Sequence, residues 1–131
     1  MVVADTNVWA RAHLNDDPTQ ARKARKALAE ARGKGGVFVP VLVLAELSWV
    51  LRSAKWERAR VLEALEALLQ TRGVTVESPG LVRGAIEATR AGGTGGFADH
   101  LIAQIGFAYG ASEVITFNGK FGKAEHVRRL K

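Results

Sequence analysis

Residues 37–51 read VFVPVLVLAELSWVL, and this stretch decides the fold class. Val37, Phe38 and Val39 form a short β-branched and aromatic run, the composition of a buried strand. Pro40 has no N–H to give a ladder and suits a helix start, so a helix begins near it. The whole run is too short and too interrupted, by Pro40 and Glu46, to span a bilayer. It is a strand feeding a helix.

Working outward, similar short runs stand at 2–4, 74–76 and 114–117, with helical stretches between them. Strands alternating with helices indicate a parallel sheet covered by helices. Residues 18–32 follow Asp17-Pro18 and place Ala21, Ala24, Ala27, Leu28 and Ala31 on one helical face. Arg22, Arg25, Lys26 and Arg32 take the opposite face and read as solvated. A further helix covers about 57–71, with Val61, Leu62, Leu65, Leu68 and Leu69 inward and Glu63 and Glu66 outward. Ser78-Pro79 opens another, ending in the glycine-rich run 92–96, and a last long helix covers about 97–109. Residues 127–130 are read as a short edge strand.

The bulk composition narrows the class. At 131 residues, with 47% hydrophobic and 24% charged, the chain is expected to fold as one ordered domain. It contains no cysteine, which rules out disulfides and thiolate metal sites and fits a reducing compartment. Residues 1–20 lack signal-peptide character, so a soluble, cytoplasmic protein with no membrane association is expected. Nineteen basic residues against 13 acidic ones give a net charge of +6, which favours a polyanionic partner through steering and counterion release.

Three carboxylates stand inside apolar sequence. Asp5 follows Met1-Val2-Val3-Ala4, Glu46 interrupts the helix after the second strand, and Asp99 interrupts GFADHLIAQI. A carboxylate taken from water needs a partner, a proton or a cation. Leu42 and Val50, four residues either side of Glu46, place it on an apolar face rather than an outer one. Asp5 ends the first strand and Thr116-Phe117-Asn118 ends the last clear one. In parallel α/β sheets ligands bind at that end. Asp99 lies in the first turn of its helix, where the dipole favours an anion.

Each residue has a plainer reading. Asp5 and Asp99 suit helix caps, Glu46 suits an ion pair with an arginine such as Arg52, and Asn118-Gly119 suits a turn. Trp9 and Trp49 read as core residues, and His13, His100 and His126 show no metal-ligand spacing. It is the joint pattern of acids in a basic protein that points to phosphodiester chemistry.

In order, the chain carries VVADTNVW, VPVLVLAELSWVL, GGFADHLIA and VITFNGKF. This order resembles a PIN-domain protein, and among these a ribonuclease toxin of the VapBC toxin–antitoxin type, over essentially the whole length. The resemblance implies a single PIN-like domain over 1–131, a three-layer α/β/α fold with a central mainly parallel sheet. It implies an endoribonuclease dependent on magnesium or manganese, a homodimer, and a cognate antitoxin that lays a segment, often with an arginine, across the acidic cleft. By motif Asp5, Glu46 and Asp99 match the family's acids and metal ligands, with Asn7 as a polar companion of the first. Thr116 matches a common hydroxyl. Asn118 and Gly96 stand where many members carry further acids, and these departures favour one well-held metal. Lys120 and Lys123 suit contacts with the RNA backbone. A catalytically weak or inactive PIN module that binds RNA or protein is the alternative. A phosphatase with an aspartate nucleophile ranks lower, because DTN lacks a second acid two residues after Asp5.

Overall fold

The computed structural model describes residues 1–92 and 94–131; Gly93, within the glycine-rich run read as a helix end, lies outside the described residues. The chain forms two compact units, Met1–Ser78 and Pro79–Lys131.

The first unit opens with β1 (Val2–Val3), then α1 (Thr6–Leu14), α2 (Pro18–Gly33), β2 (Val37–Val39), α3 (Val41–Ser53), α4 (Arg58–Gln70) and β3 (Val74–Val76). Its sheet runs β1-β2-β3, all parallel, with Val2 opposite Val37 and Val37 opposite Val74. Parallel neighbours need a crossover between them, and the helix pairs α1–α2 and α3–α4 supply it. Val37 and Val39 are fully buried, as are Leu44, Leu47 and Leu51 on α3 and Leu65 on α4. Each buried leucine contributes about 1.5–3 kcal/mol relative to exposure. Gly73 sets the entry to β3. Its φ is +84°, and a Cβ there would lie 2.7 Å from the Arg32 carbonyl oxygen, so only glycine fits this close turn.

The first helix starts earlier than the alternation of strands and helices indicates. Asp5, extended at φ −74° and ψ 173°, caps α1, and Asn15 closes it in the left-handed region at φ 55°. Trp9 is buried as expected, and His13 Nδ1–H donates to its carbonyl at 2.7 Å. The expected faces of α2 and α4 hold in outline: Ala21, Ala24 and Leu28 are buried, as are Val61, Leu62, Leu65 and Leu68. Glu63 is exposed and Glu66 is half-buried.

Two expectations about α3 fail. Trp49 is 71% exposed rather than in the core, and Leu42 is 67% exposed. The helix buries Val43, Leu44, Leu47, Ser48 and Leu51, and the line through Leu42, Glu46 and Trp49 falls on the opposite side, about 165° away. An apolar neighbour four residues off shares a face without making that face buried.

The second unit comprises α5 (Pro79–Gly92), α6 (Phe97–Ala108), β4 (Val114–Thr116), a 3-10 turn at Phe121–Lys123 and β5 (Val127–Arg129). The edge strand read at 127–130 is present, pairing in parallel with β4, Val114 opposite Val127. α5 and α6 pack on each other, and Val82, Ala85 and Ile86 of α5 and Leu101 and Ala103 of α6 are buried. Among the described residues no helix is long and apolar enough to cross a membrane.

Candidate functional site

In the first unit the acids are held at helix ends and faces that water reaches. Asp5 is exposed; one carboxylate oxygen accepts from the Val8 backbone N–H at a long 3.3 Å. An ionised carboxylate has about four acceptor positions, so most of its capacity stays open. Glu46 is also exposed, one turn and a half into α3. Its Oε1 accepts from the Thr6 hydroxyl at 2.8 Å across 40 residues of sequence. Thr6 follows Asp5 directly, so this bond ties the α3 acid to the first turn of α1. The expectation that these carboxylates leave water is therefore corrected. Leu44 and Leu47 beside Glu46 are buried while the acid faces out, and Val2 and Val3 before Asp5 are themselves exposed.

Arg52 does not take Glu46 as its acceptor: its Nη1–H donates to the Trp56 carbonyl at 2.8 Å. Asn7, next after Thr6, is exposed in the same turn. Thr6 is the residue that sequence reasoning missed. Its only signal was the position between Asp5 and Asn7, where a hydroxyl at the start of a helix reads as helix-start chemistry.

The second unit uses its oxygens differently. Asp99 is half-buried at the third position of α6, and its Oδ2 accepts from the Gly96 N–H at 3.1 Å. This is the helix-start role considered for it, with Gly96 itself as N-cap. The neighbouring His100 is buried and donates through Nε2–H to the Thr94 carbonyl. Its ring meets Phe121 edge-on at 5.3 Å between centroids. Phe121 in turn lies so close to Gly95, at φ +73°, that a Cβ there would sit 2.8 Å from the ring.

That aromatic contact carries the chain back to Asn118. Asn118 Oδ1 accepts from the backbone N–H groups of Lys120 at 2.9 Å and Phe121 at 3.1 Å, while its own N–H donates to the Thr116 hydroxyl at 3.0 Å. The turn reading holds, through side-chain acceptance rather than positive φ. Lys120 and Lys123 are exposed just beyond it. Between β5 and the residue before β4, Arg128 donates to Glu113 Oε1 at 3.1 Å from Nε and 2.9 Å from Nη2. These hydrogen bonds, and then the guanidinium charge, hold the Glu113 carboxyl below its usual range.

Within the first unit, then, the Thr6–Glu46 bond brings Glu46 of α3 to the start of α1, where Asp5, Thr6 and Asn7 stand; within the second, Asp99 and the Thr116–Asn118 turn connect through His100 and Phe121. Among the described residues no group of three or more histidines, aspartates or glutamates stands ready to hold a metal ion. Magnesium takes only one or two carboxylates and fills its octahedron with water and substrate oxygen, so an exposed acid pair fits its donor set.

Comparison with curated proteins and with solved structures found no match. The family model for the PIN domain matches residues 2–127, which runs through both compact units. The parallel strands and helices described above agree with the PIN-like three-layer α/β/α fold class. PIN domains are generally nucleases and typically use divalent metal ions. On that match the chain belongs to the PIN-domain family.

Proposed function

We propose that this PIN domain is a magnesium- or manganese-dependent endoribonuclease, the toxin of a type II toxin–antitoxin pair. It hydrolyses RNA phosphodiester bonds in the cytoplasm as a homodimer until a cognate antitoxin occupies its acidic surface. The observation that carries the reading is the Thr6–Glu46 hydrogen bond, which ties the solvent-open carboxylate of α3 to the start of α1, where Asp5 is also solvent-open, in a protein with net charge +6.

In this reading Asp5 and Glu46 hold the ion, and Asp99 keeps the role of third acid that the family motif gives it. A bound divalent cation supplies charge neutralisation at the reacting phosphate and lowers the pKa of bound water. Thr6 fixes the Glu46 rotamer, leaving Oε2 of that carboxylate for ligand or water. Asn7 offers an amide to a ribose or phosphate oxygen. Lys120 and Lys123 contact the RNA backbone, and Thr116 holds the Asn118 turn that presents them.

The test is cleavage of single-stranded RNA by purified protein with magnesium, manganese or excess chelator, beside thermal melts under the same conditions. Cation-dependent cleavage is expected. A cation at about 100 times its dissociation constant stabilises the fold by roughly 2.7 kcal/mol, and Asp5→Asn reduces that shift. Equal shifts for wild type and variant would overturn the metal assignment. A second reading, a weak or inactive module that binds RNA or protein, is favoured by Asn118, whose amide oxygen is committed to two backbone N–H groups. RNA binding without cleavage under any cation would select it.

A further inference from the structure

The first unit contains an opening of which the assignments above use only Asn7, at its edge. It lies between α1 and α2, has a volume of about 530 Å³, and is lined by Asn7, Val8 and Arg11 from α1 and Gln20, Lys23 and Ala24 from α2. It exists because α2 presents alanines here: Ala24 is buried, and Ala27 adds no bulk. A volume of this size suits a small-ligand site. The floor is apolar, the walls carry two cations and two amides, and no carboxylate lines it.

The opening begins where the acid pair ends. Val8, on its wall, gives its N–H to Asp5 Oδ1 at 3.3 Å, and Asn7 follows the Thr6 that bonds Glu46. The hairpin that forms it is fastened from the other side, where Arg25 Nε–H donates to the Ala12 carbonyl at 3.0 Å. Arg11 Nη1 meets Asp16 at 3.0 Å, with both side chains open to solvent at 42% and 55%. An exposed pair of this kind is weak and screened by salt. A phosphate offers the same guanidinium a charge-assisted, bidentate partner.

We propose that the α1–α2 cleft binds the phosphodiester backbone of the RNA strand beside the acid pair, with Lys23 and Arg11 on phosphate oxygens and Asn7 and Gln20 on ribose or base edges. The inference rests on the nuclease reading above and adds a substrate path to it. Charge decides the occupant: the lining side chains are cationic or neutral, the carboxylates of Asp5 and Asp17 accept from the backbone N–H groups of Val8 and Gln20, and Asp16 on Arg11 acts as a displaceable stand-in. Lys23 points into the cleft from a helix whose Arg22, Arg25, Lys26 and Arg32 were read as merely solvated.

The test uses full-length protein carrying Asp5→Asn, so that RNA is bound and not cut, and a labelled single-stranded RNA followed by fluorescence anisotropy at several salt concentrations. Lys23→Ala is expected to weaken binding about 3- to 10-fold and to lower the salt slope by about 0.7. Gln20→Ala gives a smaller loss with the slope unchanged. Lys26→Ala, on the same helix but outside the cleft, serves as the control and leaves affinity within about 2-fold. Asp16→Asn, which releases Arg11, tightens binding. Equal losses for Lys23→Ala and Lys26→Ala would reduce the cleft to diffuse surface charge and overturn the proposal. So would unchanged RNA binding by Lys23→Ala together with lost binding of a co-expressed protein partner, which would assign the cleft to protein. Wild-type protein that cuts RNA while every cleft variant binds normally discards this inference alone; wild-type protein that neither binds nor cuts RNA discards the nuclease reading itself.

Discussion

The acids of the first unit and the polar groups of the second are equally conspicuous in the sequence, yet they spend their oxygens in opposite ways. Asp5 and Glu46 each give one weak or peripheral acceptor position to the protein, a 3.3 Å backbone bond and a hydroxyl bond, and keep the rest for solvent. Asp99 and Asn118 are engaged in holding backbone: the Gly96 N–H at the start of α6 and two successive N–H groups of the turn after β4. The same residue types therefore predict different losses on substitution. In the first unit removal should cost chemistry and spare stability. In the second it should cost stability as well.

The largest effect is expected at Asp5. Asparagine caps a helix about as well as aspartate, so Asp5→Asn keeps α1 while removing the charge. Groups that merely support metal ligands cost 10- to 100-fold when removed, and a ligand itself should cost on the order of 100-fold or more in RNA cleavage. Melting temperature without cation should hold or rise, because Asp5 and Glu46 repel. A variant that melts much earlier than wild type would make Asp5 a structural cap and erase the contrast between the two regions.

Thr6→Val comes next. It removes the hydroxyl that orients Glu46 and keeps the side-chain volume, and Glu46 is exposed, so no buried group loses its partner. Cleavage should fall about 10-fold, with a raised magnesium requirement and an unchanged fold. Steady-state cleavage across a magnesium series measures both. Wild-type behaviour would mean that the Glu46 carboxylate needs no anchor.

These contrasts explain what the sequence could and could not reveal. The strands at Val37–Val39 and Val74–Val76, the starts of α2 and α5 at proline, and even β5 were legible, because β-branched runs, proline and periodic leucines act locally. Helix α1 was less so, since Thr6–Leu14 mixes Arg11 and His13 with Val8 and Trp9 and offers a weak apolar stripe. The acids of the candidate site stand out in the sequence as charges in apolar surroundings. Their exposure was not, because sequence spacing places Leu42 beside Glu46 and cannot say whether anything covers them. Nor could it give the Thr6–Glu46 bond, which joins residues 40 apart.

Asn118 tests the other side of the comparison. Asn118→Ala leaves the Lys120 and Phe121 N–H groups without their acceptor, and the loss of such bonds costs about 1–2 kcal/mol. Asn118→Asp keeps an acceptor oxygen for both and should melt close to wild type. Its second oxygen adds negative charge, and hard cations bind more tightly as ligand charge rises, so less magnesium should be needed for cleavage. If alanine and aspartate destabilise alike, the turn does not depend on the side-chain oxygen.

The smallest effect belongs to Glu113, the acid with the clearest cationic partner and no place among the candidate site residues. Arg128 lowers its carboxyl pKa, first by hydrogen bonding and then by charge. A carboxylate whose folded pKa is depressed stabilises the fold above its unfolded pKa, and that contribution fades as pH falls through the lowered folded value. The wild type should therefore lose stability relative to Glu113→Gln only below about pH 5, near and beneath the ordinary glutamate range. Both groups are exposed, so the difference is small and shrinks further as salt screens the pair. Melting temperatures of the two proteins from neutral pH downward, at low and high ionic strength, would expose it. Curves that stay parallel at low salt would show that the pair holds β5 to the segment before β4 in geometry alone, and that the second unit owes its stability to backbone-directed bonds such as those of Asp99 and Asn118.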